Sequence, residues 1–435
     1  MFYGITKIYN FTIEALVFFI IIFSPLVYGS VQALPLVILE STVFLILFIW
    51  WLKIISLKEP PSFIKSSFWL PILLFILLVF LQLVPLPKSI LIFLSPSRVY
   101  LIDKFVPAEF ISKIVFSLSI YRNQTIIKFL ELLSYVSLFF ILINNLESKK
   151  KFTRLIVVII SMGLLVAIIE IARQFKFPFV NKNHFAGYME LIIPLAIGYL
   201  LTDPIRPKKI ILGFMTIVMF TALFLSLSRA GTLCFIGSLI FMGCAFRLRK
   251  TLRHKIKVIY ILVIICFLFL MIMGIEPVLA RFATLYKKEI FDTEGRWILW
   301  KDTLRIIADF PLFGTGLGTF RNIYPMYKTL MVQATVSYSH SDFLQLVSET
   351  GIIGLGLVVW FLVLFFKDIF LNWMNRHHPF VKGIVLGGIT SIIAILLHSF
   401  FDFNLQIPSN AFLFTIIMAL TYKCIFIKFS ENEII

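Results

Sequence analysis

The chain reads as an all-α polytopic membrane protein, and three observations carry that reading. Of its 435 residues, 60% are hydrophobic and only 14% are charged, against about 25% charged in ordinary soluble domains. The mean hydropathy is +0.99. Uninterrupted apolar runs of about 18 residues or more recur from end to end, each long enough to cross a bilayer as a helix. The runs are continuous and do not alternate, which excludes an outer-membrane β-barrel.

About twelve spans follow from this pattern. They fall near residues 11–28, 31–52, 67–84, 124–144, 154–174, 185–202, 210–227, 231–246, 258–275, 352–370, 383–401 and 411–427. The first starts soon after Lys7, with no small-residue cleavage pattern behind it and another span at once, so it reads as a retained helix and not a signal peptide. Alternate loops are strongly basic. Lys149, Lys150, Lys151 and Arg154 lead into the fifth span, and Arg206, Lys208 and Lys209 into the seventh. Arg247, Arg249, Lys250, Arg253, Lys255 and Lys257 lead into the ninth. Basic loops stay cytoplasmic, which puts both termini inside and the intervening loops outside. The same loops account for much of the +18 net charge, so no nucleic-acid partner is implied; membrane lipids are.

The expected organisation is one integrated membrane domain. Residues 1–275 hold the first nine spans, with a smaller outer loop at 85–123 marked by Pro85, Pro87, Pro96 and Pro107. Residues 276–345 form a large outer loop, too poor in apolar residues for a deep core of its own, and 346–435 hold the last three spans. The cysteines (Cys234, Cys244, Cys266 and Cys424) lie inside spans without metal-ligand spacing and read as packing residues. No metal set and no cofactor motif emerges.

The candidate chemistry gathers on the outward side. Ser226-Leu227-Ser228-Arg229-Ala230-Gly231 is a very short turn that holds Arg229 at the membrane surface. Its guanidinium is either a clamp for phosphate oxygens or an interfacial anchor. From Gly295 to Ile307, Trp297, Trp300, Leu304 and Ile307 recur at helical spacing, the pattern of an amphipathic interfacial helix. Arg296 opens that helix, where free N–H groups also favour an anion. Pro311 to Phe320 carries Gly314, Gly316 and Gly318 at alternate positions, either a tight structural turn or a backbone nest for an anion. Asn181, Asn183 and His184 enter the sixth span, and His398, Asp402 and Asn404 leave the eleventh; both sets suit sugar hydroxyls or plain loop polarity.

The most informative run is His340-Ser341-Asp342, which continues through Gln345 and Glu349 to Gly351 and Gly354. Ser341 or Asp342 caps the helix that becomes the tenth span. Asp342, Gln345 and Glu349 share one helix face. His340 stands at the cap as either an interfacial side chain or a proton-handling group, with Asp342 or Glu349 as its expected partner.

Together these residues resemble the O-antigen ligase family, within the group that includes O-antigen polymerases and bacterial O-oligosaccharyltransferases. The resemblance rests on Ser226 to Gly231, Arg296 and Trp300, Pro311 to Phe320, and His340-Ser341 with Gly351 and Gly354; it covers about residues 181–360. The family often has Asn after the His, and Ser341 takes that place here. The resemblance implies a type C glycosyltransferase fold in the bacterial inner membrane. It implies transfer of a glycan from undecaprenyl pyrophosphate to an acceptor hydroxyl, in a ligase a lipid A–core sugar, at the periplasmic face and without a metal. In that chemistry His340 suits the general base, with Asp342 or Glu349 orienting it. Arg229, Arg296, Arg281 and Arg321 are the pyrophosphate-binding candidates. Ser228, Asn181, Asn183, His184, Trp300, Gly316 and Ser341 are the substrate-binding candidates. A polymerase that joins repeat units on the lipid carrier is the alternative enzyme. A secondary transporter using Glu40, Glu131, Glu170 and Glu190 as an ion path is the alternative of another class.

Overall fold

A computed structural model describes residues 2–57, 63–107, 109, 116–202, 205–248, isolated positions between 257 and 280, 296–329 and 336–427. The chain is a helical bundle. In order come α1 (Phe2–Leu26), α2 (Ala33–Ile55), α3 (Trp69–Leu83) and the short pair α4 (Lys88–Leu94) and α5 (Pro96–Phe105). Then come α6 (Arg122–Asn145), α7 (Lys149–Ala172), α8 (Lys182–Leu200), α9 (Arg206–Leu225) and α10 (Arg229–Leu248). Within the large loop, α11 (Arg296–Asp309) and the single turn α12 (Phe320–Ile323) precede α13 (Asp342–Asn375), α14 (Pro379–His398) and α15 (Pro408–Ile425). Among the described residues, 8 helices are long and apolar enough to cross a membrane, and α3 and α10 are shorter apolar helices. Helices cover each expected span except the ninth, which lies mostly outside the described residues, as does Arg281.

The centre of the bundle is α8, α14 and α15. Burial within the protein reaches 83% for α14 and 89% for α15, against 17% for the most apolar stretch of α13, so α13 packs at the rim. Small residues allow the close approach of α8 and α14. A Cβ on Gly198 would lie 2.4 Å from the Gly383 carbonyl oxygen and 2.8 Å from Gly387 Cα. Such contacts gain from packing where no water is available to drive association. Phe68 packs edge-on to Phe361 and Tyr422 and thereby ties the start of α3 to α13 and α15.

One feature shapes the end of the bundle where the motifs gather. α13 is broken at Gly351, whose φ of 68° is left-handed. The glycine turn of residues 311–320 fills the break. The Ile352 N–H donates to the Pro311 carbonyl at 2.8 Å, and the Thr315 and Gly316 N–H groups donate to the Ser348 and Glu349 carbonyls at 3.0 and 2.9 Å. Backbone groups freed by the break are thus paired again, as burial requires. Contact is so close that a Cβ on Gly351 would fall 2.0 Å from the Leu312 oxygen. Gln82 of α3 seals the joint. Its Nε2 donates to the Phe313 and Glu349 carbonyls, and its Oε1 accepts from the Leu317 N–H.

The described part of the large loop packs around a small apolar centre of Leu299, Ile306, Phe310, Phe320, Ile323 and Tyr324. The buried stripe of α11 is Leu299, Asp302, Thr303 and Ile306. Trp297 and Leu304 of the expected interfacial stripe are exposed, at 48% and 53%. Asp302 explains the opposite, buried stripe. Its carboxylate accepts from the Thr329 N–H and hydroxyl and from the Tyr324 hydroxyl, so a charged side chain is turned inward and the tryptophan outward.

Replacing Gly351 by Ala combines a left-handed φ with a clash against backbone. It is expected to lower unfolding free energy by about 2–4 kcal/mol. Gly356→Ala is the control on the same helix, where an added Cβ meets nothing within 4 Å. Thermal unfolding of both variants in detergent checks the difference.

Candidate functional site

The site is assembled around Asp402, in the connection between α14 and α15. Its side chain is fully buried. One carboxylate oxygen accepts from its neighbour's N–H, that of Phe403, at 2.9 Å and lies 3.4 Å from Nδ1 of His340. The other accepts from the Asn183 amide and lies 3.7 Å from the Arg296 guanidinium. Asn183 in turn accepts from the Ser228 hydroxyl at 2.7 Å, and Arg229 follows as the half-buried first residue of α10. The start of α8, the start of α11 and the segment before α13 therefore meet on one carboxylate, and the α9–α10 turn joins them through Asn183.

His340 is held by local conformation as well as by contact. Its backbone is left-handed, with φ of 53°. Ser341 then caps α13, its hydroxyl accepting from the Leu344 N–H. The Asp342 N–H donates to the Ser399 and Asp402 carbonyls at 2.9 and 3.2 Å, which fixes the cap against the α14–α15 connection. The imidazole packs edge-on to Phe403 at 4.8 Å and keeps 35% of its side chain exposed. Phe403 carries His184 edge-on at 4.7 Å as well and stacks on Tyr338 at 4.4 Å.

Electrostatics sets the state of Asp402. Burial alone would raise its pKa. The His340, His184 and His398 imidazoles around it outweigh burial and hold the carboxyl well below the usual aspartate range. It is therefore an anion beside His340 at any ordinary pH.

The structure does not bring the two expected acidic partners to His340. The Asp342 carboxylate accepts from the Ser399 hydroxyl and the Leu405 N–H. The Glu349 carboxylate accepts from the Gly318 and Phe320 N–H groups and from Gln345. The glycine turn does form a nest for an anion, and the anion it holds is Glu349. Gly316 is accordingly packed away, with no room for a Cβ beside Ser119.

The remaining candidates divide. Asn181 caps α8 by accepting from the Asn183 N–H. His184 is buried, Trp300 is half-buried, and Arg321 is exposed on α12. The Arg296 guanidinium donates to the Phe401 carbonyl at 3.1 Å and also faces Asp402. Behind the site His398 and Glu190 form a fully buried pair at 3.0 Å. Among the described residues no group of three or more His, Cys, Asp or Glu side chains could hold a metal ion. A cavity of about 350 Å³ opens between α3, α6, α13 and α15, with walls such as Phe75, Phe139, Phe361 and Phe414. Asp342 and Ser399 line its polar end, one residue layer from Asp402.

These features define a multi-pass helical membrane protein whose polar residues converge at one end of its bundle. Residues 214–359 match the family model described as O-Antigen ligase. This match supports the O-antigen ligase family, and the matched residues span the Ser228–Arg229 turn, Arg296, the glycine turn and His340. No curated protein matches the chain. The family supports activity of the O-antigen ligase or polymerase type in general.

Asp402→Asn gives a signed test of the electrostatics. A carboxyl whose folded pKa is depressed stabilises the fold above its unfolded value, about 3.9, and that contribution is lost as pH falls through the folded value. The stability gap between wild type and Asp402→Asn is expected to be constant above about pH 5 and to shrink on further acidification. Thermal unfolding in detergent across pH measures it.

Proposed function

We propose that the protein transfers a glycan from undecaprenyl pyrophosphate to an acceptor hydroxyl, most simply a lipid A–core sugar, at the periplasmic face of the inner membrane. The observation that carries this reading is the His340–Asp402 pair, set beside Arg296 and linked through Asn183 to the Ser228–Arg229 turn.

His340 acts as the general base. With Nδ1 turned to the Asp402 carboxylate, Nε2 is the nitrogen left for the acceptor hydroxyl, and the carboxylate stabilises the imidazolium that forms. The acceptor oxygen bonds to the anomeric carbon as its proton passes to Nε2. The anomeric carbon–oxygen bond to the carrier breaks, and its electron pair leaves with the pyrophosphate. Cationic side chains stabilise the charge that develops there. Arg229 is the first choice for that clamp. Arg296 is already turned to Asp402 and Phe401, so its charge acts beside His340. Asn183 and Ser228 position Asp402 and offer polar groups to a sugar.

The apolar cavity supports the lipid part of the reading. Its walls suit a polyprenyl chain, and its polar end at Asp342 and Ser399 adjoins the Asp402 site. A lipid-linked donor seated there has its headgroup near Arg229 and His340.

His340→Ala is expected to slow glycan transfer in proteoliposomes by about 10²–10⁴ while insertion and thermal unfolding stay normal; unchanged transfer rules out the base assignment. Asp402→Asn keeps size and burial but removes the charge, and is expected to lower kcat by about 10²–10⁴ with donor KM little changed. Arg229→Ala is expected to raise donor KM by about tenfold or more, measured with purified lipid-linked donor.

A further inference from the structure

We infer that a second cleft, formed by α5 and the far end of α11, is a glycan-binding subsite separate from the His340 site. This inference rests on the glycan-transfer reading above.

The cleft has a volume of about 450 Å³. Tyr100 and Tyr327 line it with Asp309 and Ser97, and Phe310 and Leu101 form its floor. Tyr100 is 61% exposed while Phe310 is 2% exposed, so an accessible ring stands over a fixed base. Leu101 packs onto the same small apolar centre as Phe310. The Tyr327 hydroxyl donates to the Asp309 carboxylate and holds it at the rim.

This is the chemistry of a sugar site. A pyranose ring offers an apolar C–H face, which stacks on a tyrosine ring, and hydroxyl donors at its edge, which a carboxylate and a serine accept. Other occupants fit less well. The described residues lining the cleft include no Lys or Arg; one cation, Lys104, reaches the Tyr100 hydroxyl at 3.4 Å, a single contact where a pyrophosphate calls for several. Its lining mixes tyrosine, serine and aspartate, unlike the apolar walls suited to a lipid chain.

Position supports the same conclusion. α11 begins at Arg296 beside Asp402 and ends at Asp309 in the cleft. At 1.5 Å per residue the two ends are about 20 Å apart. A glycan that leaves the reacting centre along α11 therefore reaches the cleft only after several sugars. The subsite reads chain length or composition beyond the sugar that reacts.

Two sources bring such a glycan, the donor chain and the acceptor oligosaccharide. The test uses purified protein in nanodiscs, with donor from the producing cells separated into one-repeat and many-repeat pools. Tyr100→Ala and Asp309→Asn are compared with wild type, with thermal unfolding as the folding control. A rise of about tenfold in KM for the many-repeat donor, with the one-repeat donor little changed, assigns the cleft to the donor chain. The same rise for the acceptor alone assigns it to the acceptor. Unchanged KM for every substrate in both variants overturns the subsite.

A binding arm separates this from the parent reading. Many-repeat glycan released from its carrier by mild acid is titrated onto His340→Ala protein, with and without Tyr100→Ala. Binding weakened by Tyr100→Ala supports the subsite even if wild type shows no transfer. Transfer by wild type with equal binding to both proteins leaves the parent reading standing and removes the subsite.

Discussion

An ionised carboxylate buried at Asp402 costs several kcal/mol unless its surroundings repay it. Its surroundings do so with the Asn183 amide, the Phe403 N–H, the His340 imidazole and the Arg296 guanidinium. Two of these hydrogen-bond to it and two face it as charge partners, each from a different part of the chain, so satisfying one anion fixes the relative positions of four segments. The same requirement sets His340. Its Nδ1 has a carboxylate to face, its ring lies on Phe403, and its left-handed backbone turns it away from the helix that follows.

A second constraint keeps that arrangement rigid. Without the glycine turn, the break at Gly351 would leave backbone groups of α13 unpaired in the protein interior, where burial keeps water from taking their place. The turn pairs them, Gln82 bridges both sides, and the Glu349 carboxylate closes the turn's own N–H groups. The first part of α13 is thereby anchored to the loop and to α3, and the cap that carries His340 is anchored with it. The proposed transfer needs its two substrates placed to within about an ångström of the reacting geometry, and a rigid frame of this kind favours that.

Much of this was legible in the sequence. Hydropathy alone located the helices, because a helix in lipid must be apolar along its length. His340, Arg296, Ser228 and Asn183 were visible as polar residues at helix ends. Spacing misled in one place. Asp342 and Glu349 share a helix face, but His340 precedes the helix in a left-handed conformation, so that face does not serve it. The tryptophan period of α11 marks an exposed face, and the buried stripe around Asp302 could not be told from it. The roles of Asp402 and Gln82 were not legible, since His340 and Asp402 stand far apart in the chain and only the tertiary fold joins them. The transporter alternative drew on Glu40, Glu131, Glu170 and Glu190. In the structure the last three pair with Lys128 and Tyr135, with the Phe179 N–H, and with His398, while Glu40 is buried on α2 with a carboxyl oxygen that no described residue pairs.

The central claim is that Asp402 acts through His340 in glycan transfer, and a double-mutant cycle tests it most directly. Single-turnover transfer from purified lipid-linked donor is measured for wild type, His340→Ala, Asp402→Asn and the double variant. Residues that act as one unit are strongly non-additive, so the account predicts that the double variant is no slower than His340→Ala alone. A double variant slowed by the product of the two single effects would contradict it, because Asp402 would then be acting independently of His340.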